Sequence, residues 1–296
     1  MRGPVAPPPD PLAESPELPY DDGVVRVAAL RPGHATSGVD TVHFRVHARA
    51  GRVVVHHRLP PERVDNDIAE LIADELFRTG LVAGTDMFER ILVGVVRSSV
   101  EGELPAWDVF YRNTLAKIRG HWAGTWESGT QLAGMAPVYR RAADLVVPGR
   151  ALDIASCFGF FPMLLAETGR TVVASDLSRG GMRLLAAVAA RRRVEVGTLT
   201  CDAAAVPLPP KSVPAVTVLH LLEHLDPEHA RAVLAEAIRI AQRRVVVAVP
   251  LEDEPDPVYG HVRTFDLPEL QVLGLETGLP HTVSEYHGGW LVLDID

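Results

Sequence analysis

A strand–turn–helix–strand pattern between residues 150 and 178 constrains the fold more than any other stretch. Ala151–Ile154 is a short apolar run, which is typical of a buried parallel strand. Small residues then permit a sharp turn, Phe160–Glu167 has helical character, and Thr171–Ala174 predicts a second buried strand. Asp176 comes just past that strand. Such a unit suits a nucleoside, because the turn allows close approach and the acid accepts hydrogen bonds from ribose hydroxyls.

The loop after the first strand departs from a glycine-rich pattern. Its small residues are Ala155, Cys157 and Gly159, and only the last is glycine. Ala and Cys are small enough for close approach, but they disfavour positive φ. Taken alone, the loop is therefore also consistent with an ordinary packing turn between a strand and a helix.

Further features follow in a regular order through the second half of the chain. The end of a third strand is predicted at Leu199–Ala203 and a fourth strand at Val213–Leu219, followed by a Leu-Glu-His-Leu motif at Leu222–Leu225. Next come a helix at Glu228–Gln242, a fifth strand at Arg244–Val249 and a His-Val-Arg-Thr-Phe motif at His261–Phe265.

This order resembles class I S-adenosylmethionine (SAM)-dependent methyltransferases, from Val147 to Asp296. In that family the first loop usually reads Asp-x-Gly-x-Gly-x-Gly, and here Asp153 stands at its acidic position. The Leu-Glu-His-Leu motif resembles the branch that includes quinone and many small-molecule methyltransferases. The resemblance implies an α/β fold: a Rossmann-like seven-stranded class I methyltransferase core with an N-terminal β plus helical extension.

The resemblance also implies SAM as the cofactor and S-adenosylhomocysteine as the product. Asp176 would hold the ribose, and Asp202 would accept from the adenine amino group. The cofactor-binding residues carried over in this way are Asp153, Ala155, Cys157, Gly159, Asp176, Leu177, Cys201, Asp202, Ala203, Leu219 and His220.

An oxygen nucleophile additionally needs a proton acceptor, for which histidine is the natural choice. The catalytic candidates are His220, His224 and His261, which follow the fourth and fifth strands. Either Glu223 or Asp226 would orient the base. Each histidine also has a structural interpretation, as a residue that shapes a loop.

An acidic loop with oxygen ligands suited to Mg²⁺ precedes His261, at Glu252, Asp253, Glu254 and Asp256. A solvated loop is the simpler interpretation of these residues. No metal ligand is therefore predicted.

The acceptor is predicted to be a hydroxyl of a small molecule or glycan. The net charge of −9 argues against a nucleic-acid partner, as does Leu219–Leu222, which stands where many nucleic-acid N-methyltransferases carry Asn/Asp-Pro-Pro-Tyr. The Ser156–Phe160 loop, the long N-terminal half and the Arg-rich composition resemble actinobacterial methyltransferases that act on the oligosaccharide of the redox cofactor mycofactocin. Three alternatives stay open: a methyltransferase-like scaffold subunit without activity, an N- or C-methyltransferase of secondary metabolism, and a dinucleotide-dependent reductase.

The length and composition of the chain limit the class of protein to which it can belong. The 296 residues are 47% hydrophobic, which supports a sizeable core. Two cysteines give no disulfide framework, and no membrane-spanning or signal segment is evident, so a cytoplasmic protein is expected. The predicted organisation is a disordered arm, a small β module, a helical lid or substrate region and a SAM-binding core, at residues 1–20, 21–62, 63–147 and 148–296.

The β module is predicted to contain three strands: Val24–Leu30, Val42–Ala48 and Arg52–Arg58. A tight hairpin at Ala50-Gly51 would join the last two. Six Arg and one Asp between residues 23 and 60 give a local charge of +5. This charge indicates either a solvated sheet face or a surface for an anionic substrate or an acidic partner.

The helical region is predicted to hold a helix–turn–helix over residues 61–100 and two further helices, Ala106–Gly120 and Thr130–Val146. Asp86 or Thr85 would cap the second helix of the first pair. The connecting loop carries Trp122 and Trp126, which would either wedge the helices onto the core or cover the ligand.

Overall fold

The computed structural model describes residues 9–13, 18–30, 37–49, 51–125 and 129–295. The chain divides into two compact units. The N-terminal unit comprises Met1–Lys117 and Gly129–Leu132, and the C-terminal unit comprises Ile118–Ser128 and Ala133–Asp296. Among the described residues, no helix is long and apolar enough to cross a membrane.

The N-terminal unit contains a five-stranded sheet in the order β1-β2-β5-β4-β3. Its strands are β1 Tyr20–Asp21, β2 Val25–Ala29, β3 Val39–Asp40, β4 Phe44–Arg49 and β5 Arg52–His57. Strands β4 and β5 pair antiparallel, as the predicted hairpin requires. Val42, predicted as the first residue of this strand, instead precedes it and is 76% exposed.

The helices of the first 145 residues are α1 Ile68–Ile72, which continues as a π-helix over Ala73–Phe77, α2 Thr85–Ser99, α3 Glu103–Trp122 and α4 Gln131–Leu145. Helix α2 packs closely on β2, because a Cβ on Gly94 would lie 2.3 Å from Val27 Cγ2. The predicted side-chain cap of α2 is wrong: the N-cap is Gly84, and Asp86 pairs with Arg90.

Part of the predicted disordered arm is ordered by hydrogen bonds. The carbonyl of Pro11 accepts from the Arg97 guanidinium (2.9 Å) and from Nε1 of Trp107 (2.8 Å). Low hydrophobicity predicts disorder, yet backbone carbonyls still satisfy buried donors. Residues 1–8 and 14–17 of that arm lie outside the described residues.

Three of the six arginines of the β module form ion pairs in the described part of the chain. Arg45 and Arg58 both contact Asp40, and Arg52 lies 3.1 Å from Asp21. These ion pairs reduce the positive charge left for an anionic partner. The assignment of this face to a solvated surface or a binding surface stays a prediction.

The C-terminal unit is built on a seven-stranded sheet in the order β11-β12-β10-β9-β6-β7-β8. The strands are β6 Ala151–Ile154, β7 Val172–Asp176, β8 Val196–Thr200, β9 Val213–Leu219, β10 Ala241–Val249, β11 His281–Glu285 and β12 Gly289–Asp294. Strands β6 to β10 pair in parallel, and β12 pairs antiparallel with both β10 and β11. The predicted Rossmann-like α/β core is confirmed.

The helices of this unit are α5 Phe160–Ala166, α6 Arg179–Arg192, α7 Pro227–Ile240 and α8 Leu267–Thr277. One apolar cluster joins α7 and α8 to the sheet, and another joins α4 and α5 to it. Both faces of the sheet are therefore covered, which explains why β6 is buried along its whole length. The strand order reverses beside β6, so a crevice forms where β6 and β9 end, the usual place for a ligand in such sheets.

Candidate functional site

The loop after β6 has a glycine-type backbone although it lacks two glycines. Ala155 has φ 59°, Cys157 has φ 50° and Gly159 has φ 72°, all in the left-handed region. An L-residue there costs roughly 1–2 kcal/mol. The expectation that Ala and Cys avoid positive φ is therefore not met at either position. The tight turn survives the substitutions.

Gly159 is the position at which a side chain has no room. A Cβ there would lie 2.4 Å from Leu185 Cδ2, on α6. The backbone at the start of α5 thus approaches α6 at a distance that only glycine permits. This contact explains why glycine is needed at residue 159, whereas Ala155 and Cys157 accommodate a Cβ.

Asp176, the last residue of β7, fixes this loop. Its Oδ2 accepts from the backbone N–H of Cys157 (2.9 Å), and its Oδ1 accepts from the backbone N–H of Ser178 (2.8 Å). Each carboxylate oxygen keeps a further lone pair, so two hydroxyls of a ribose have acceptors. Leu177, beside it, is 76% exposed and presents an apolar surface at the same edge.

The end of β8 lies against the end of β7, because the backbone N–H of Cys201 donates to the Asp176 carbonyl (3.0 Å). Asp202 follows, and its Oδ1 accepts from the backbone N–H of Ala204 (2.8 Å) and lies 3.4 Å from Nε2 of His229. The backbone hydrogen bond, together with His229, lowers the pKa of Asp202. Asp202 is therefore an ionised acceptor, with Ala203 next to it.

Asp153 lies beneath the loop rather than at its surface. Its side chain is buried, and Oγ1 of Thr217 in β9 donates to its Oδ1 (2.5 Å). Burial raises the pKa of Asp153 to about 7, and hydrogen bonds from Thr217 and Ser156 only partly oppose that rise. This placement favours a role in holding the ends of β6 and β9 together over direct contact with a ligand.

His220 follows β9 directly, after Leu219. It adopts φ 52°, and its backbone N–H donates to the carbonyl of Ala248 in β10 (2.8 Å). Its Nδ1 lies 3.4 Å from Oε1 of Glu223. Its Nε2 is buried and makes no hydrogen bond with the described part of the chain. Since β9 pairs with β6, His220 and the loop that begins at Ala155 follow neighbouring strand ends.

The other two candidate histidines lie together. The rings of His224 and His261 are 4.9 Å apart in an edge-to-face arrangement, and Nδ1 of His261 lies 2.7 Å from Oε2 of Glu252. Glu223 completes this group, because one ligand atom from each of the three side chains falls within 4.8 Å of the others.

No local pattern indicates that the Leu-Glu-His-Leu motif meets His261, although both segments and the acidic residue Glu252 stand out in the sequence. Asp226, the other predicted orienter, instead caps α7 by accepting from the backbone N–H groups of Glu228 and His229. The roles assigned to all these residues stay predictions.

Trp122 lies at the end of α3. Its Nε1 donates to the carbonyl of Ala136 (2.6 Å), and the guanidinium of Arg140 lies 5.9 Å from its ring centroid. These contacts support packing within the C-terminal unit as the role of Trp122. Trp126 lies outside the described residues.

Comparisons with solved structures give weak overall similarity. PH0226 of Pyrococcus horikoshii OT3 is 18% identical with a TM-score of 0.46, and the match covers 55% of this chain and 89% of that one. Magnesium protoporphyrin IX methyltransferase of Synechocystis PCC 6803, solved with bound SAM, is 16% identical with a TM-score of 0.45, over 62% of this chain and 93% of that one.

Sequence comparisons are more specific. Demethylmenaquinone methyltransferase of Renibacterium salmoninarum is 33% identical over 121 residues, which are 40% of this chain and 47% of the relative. The chain thus matches about half the length of that curated relative. Residues 151–243 match the family described as "Methyltransferase domain". This match supports the interpretation of the segment as the SAM-dependent methyltransferase domain that the order of motifs predicts.

Proposed function

We propose that the C-terminal unit is a SAM-dependent methyltransferase that transfers a methyl group to a hydroxyl of a small molecule or glycan. The observation that carries the proposal is the position of Asp176. Its carboxylate ties the loop after β6 to the end of β7 and keeps lone pairs for two hydroxyls. The retained left-handed turn at Ala155 and Cys157 argues against the alternative of a degenerate scaffold subunit.

His220 is the base in this proposal. When bound, SAM supplies an electrophilic methyl group. In the transfer, the acceptor oxygen would gain the methyl group as the C–S bond breaks with its electron pair moving to sulfur, and His220 would take the hydroxyl proton. A buried Nε2 with no hydrogen bond among the described residues is suited to this task. Its position after β9 places it beside the loop that follows β6.

A glucose hydroxyl of the mycofactocin oligosaccharide is the specific acceptor we propose. Its support is the resemblance of the Ser156–Phe160 loop, the long N-terminal half and the Arg-rich composition. The packing of Trp122 adds no support, because its ring and Nε1 are engaged within the protein.

Calorimetry with SAM and with S-adenosylhomocysteine tests the function. Asp176→Ala removes acceptors of hydrogen bonds to a charged group, which are worth roughly 1.5–3 kcal/mol, so we expect affinity for both compounds to fall about tenfold or more. Asp21→Ala is the matched control, because Asp21 also accepts a backbone N–H two residues ahead (2.9 Å).

Failure of the wild-type protein to bind SAM, or equal affinity in the Asp176 variant, would contradict the proposal. Incubation with labelled SAM and glucose oligosaccharides then tests the acceptor. SAM binding without transfer to any hydroxyl compound in a metabolite extract would favour the scaffold alternative.

A further inference from the structure

Glu223 is a buried carboxylate that the protein leaves unsatisfied. The residue is 0% exposed, and neither Oε1 nor Oε2 accepts a hydrogen bond from the described residues. His220 Nδ1, at 3.4 Å, is near Oε1 without forming a hydrogen bond. A buried carboxylate that accepts no hydrogen bond is costly, and buried polar groups in proteins are nearly always hydrogen-bonded. The burial of Glu223 therefore suits a site that a cation completes.

In each of two imidazoles near Glu223, one ring nitrogen is hydrogen-bonded to an oxygen of another residue. The other ring nitrogen of each is available as a ligand. Nδ1 of His224 lies 3.3 Å from the carbonyl of Gly260, and Nδ1 of His261 lies 2.7 Å from Oε2 of Glu252. Carbonyl and carboxylate oxygens only accept, so Nδ1 carries the proton in both rings. In the neutral form of each ring, Nε2 then keeps its lone pair. Histidines that ligate metals are oriented by the same kind of hydrogen bond from the second ring nitrogen.

The backbone holds the two segments together. A short 3₁₀ turn, Leu222–His224, carries two of the groups, and the backbone N–H of Val262 donates to the Glu223 carbonyl (2.9 Å). One ring nitrogen of each histidine and one carboxylate oxygen of Glu223 lie within 4.8 Å of one another. Metal–nitrogen bonds of about 2.1 Å in tetrahedral geometry bring ligand atoms to roughly 3.4 Å from one another. Small side-chain rotations therefore close the site around an ion.

We propose that Glu223, His224 and His261 bind a divalent first-row transition-metal ion. Two imidazole nitrogens and one carboxylate oxygen favour Zn²⁺ or Co²⁺ over Mn²⁺, Mg²⁺ and Ca²⁺, which prefer oxygen ligands. Three protein ligands leave at least one coordination position open, as in catalytic metal sites. Glu252 is the positioning residue that orients His261.

The open position is suited to the acceptor hydroxyl. A bound cation lowers the pKa of an oxygen ligand, so the proton leaves it more readily. This role rests on the proposed function, because it requires the acceptor to be a hydroxyl compound. The metal site itself rests only on the geometry of the three side chains. In this arrangement His224 and His261 are ligands, and His220 is left as the base.

Equilibrium dialysis of the chelator-stripped full-length protein against Zn²⁺, Co²⁺, Mn²⁺ or Mg²⁺, followed by elemental analysis, tests the site. We expect one Zn²⁺ or Co²⁺ per chain and much weaker binding of Mg²⁺. Glu223→Gln and His261→Ala should each weaken Co²⁺ binding at least 100-fold, and Glu252→Gln should weaken it about 10–100-fold. The visible spectrum of bound Co²⁺ should lack a thiolate charge-transfer band, which excludes binding at Cys157 or Cys201.

The matched controls come from a His–Glu pair of the N-terminal unit. His43 and Glu75 lie 2.5 Å apart, but the carboxylate of Glu75 is satisfied by other donors, so His43→Ala and Glu75→Gln should leave Co²⁺ affinity unchanged. His224→Ala gives a third ligand variant in case one of the others fails to fold. Circular dichroism identifies the folded variants.

Absence of stoichiometric Zn²⁺ or Co²⁺ in the wild-type protein would overturn the proposal. So would Co²⁺ binding that a folded ligand variant retains, or a spectrum that shows thiolate ligation. Calorimetry with SAM on the metal-free protein separates the two hypotheses. SAM binding without metal binding refutes the metal site alone, whereas metal binding without SAM binding contradicts the proposed function alone.

Discussion

The pair His43–Glu75 of the N-terminal unit and the pair His220–Glu223 of the C-terminal unit differ in how their carboxylates are satisfied. Glu75 of the N-terminal unit accepts from Oγ1 of Thr41 (2.5 Å), from the backbone N–H of His43 (2.8 Å) and from Nδ1 of His43 (2.5 Å). Burial alone would raise the pKa of Glu75, but these hydrogen bonds outweigh it and lower the pKa. Glu223 of the C-terminal unit is more deeply buried, and none of the described residues donates to it.

The comparison distinguishes a carboxylate that joins parts of the fold from one that receives no hydrogen bond from the described residues. Glu75 joins the start of β4 to the helical segment 68–77, and its hydrogen bonds are complete without any ligand. Glu223 lies at the carboxyl edge of the sheet, where ligands bind in this architecture. Buried polar groups that lack hydrogen bonds are expected mainly at functional sites. The same residue types thus form a fully hydrogen-bonded pair in one unit, and in the other they include a buried carboxylate to which none of the described residues donates.

The largest effect is expected from removing the histidine of each pair. His220→Ala should lower kcat on the identified acceptor by ~10²–10⁴-fold, because a general base contributes about that much, while SAM affinity stays nearly unchanged. His43→Ala should leave kcat unchanged. Steady-state kinetics at saturating SAM measure both, and the pH–rate profile should lose its acidic limb only in the His220 variant. Near-normal kcat in a folded His220 variant would remove it as the base.

The next effect concerns pH and another buried acid of the C-terminal unit. The pKa of Asp153 is raised from 3.8 to about 7 by burial. Below pH 4 the group is protonated in both the folded and unfolded states. As pH rises from 4 to 7 the unfolded state ionises first, so folding stability is lost. Above pH 7 this loss reaches an upper limit on the order of 4 kcal/mol.

Asp153→Asn should therefore raise the free energy of unfolding at pH 8 and have little effect at pH 4, since the amide still accepts from Thr217. The pH dependence of stability that comes from Glu75 has the opposite sign. Its lowered pKa contributes stability above its ordinary pKa of 4.5, and this contribution is lost as pH falls through the lower pKa of the folded state. Denaturant titrations at several pH values, with hydrogen exchange to resolve the two units, measure these trends. A pH-independent Asp153→Asn effect would refute the first.

The smallest effect compares the two carboxylates directly. Glu75→Gln should destabilise the folded protein by about 1.5–3 kcal/mol, since it removes hydrogen bonds to a charged group. Glu223→Gln should leave the free energy of unfolding of the metal-free protein unchanged or raise it, because a buried amide costs less than a buried carboxylate. Denaturant titration of both variants decides the comparison. A greater loss for Glu223→Gln would mean that its carboxylate is satisfied in the folded state.

Much of the C-terminal sheet could be predicted from local patterns. Strands Ala151–Ile154 and Val213–Leu219 have the predicted bounds, since short apolar runs between turn residues leave little freedom. The helix predicted over Glu228–Gln242 ends earlier, at Ile240, because Ala241 pairs with Val213 and begins β10. The helical periodicity of a sequence does not show at which residue the chain leaves the helix and pairs with a neighbouring strand.

The cap of α2 and the arm at residues 9–13 were predicted wrongly for a similar reason. Asp86 has the residue type of a cap, but it pairs with Arg90 instead. Pro11 has the composition of a disordered segment, but its carbonyl satisfies Arg97 and Trp107. Both outcomes depend on partners that are distant in sequence or that compete for the same side chain.

The sequence by itself determined the order of strands β6 to β10 with helices α5 and α7, the acid at the end of β7 and the small-residue loop after β6. These features are encoded within short windows by periodicity, turn residues and spacing. Only the tertiary structure decided that Gly159 must be glycine, because Leu185 of α6 fills the space beside it. It alone brought Glu223 next to His261, since strand pairing and loop hydrogen bonds join segments that no local pattern connects.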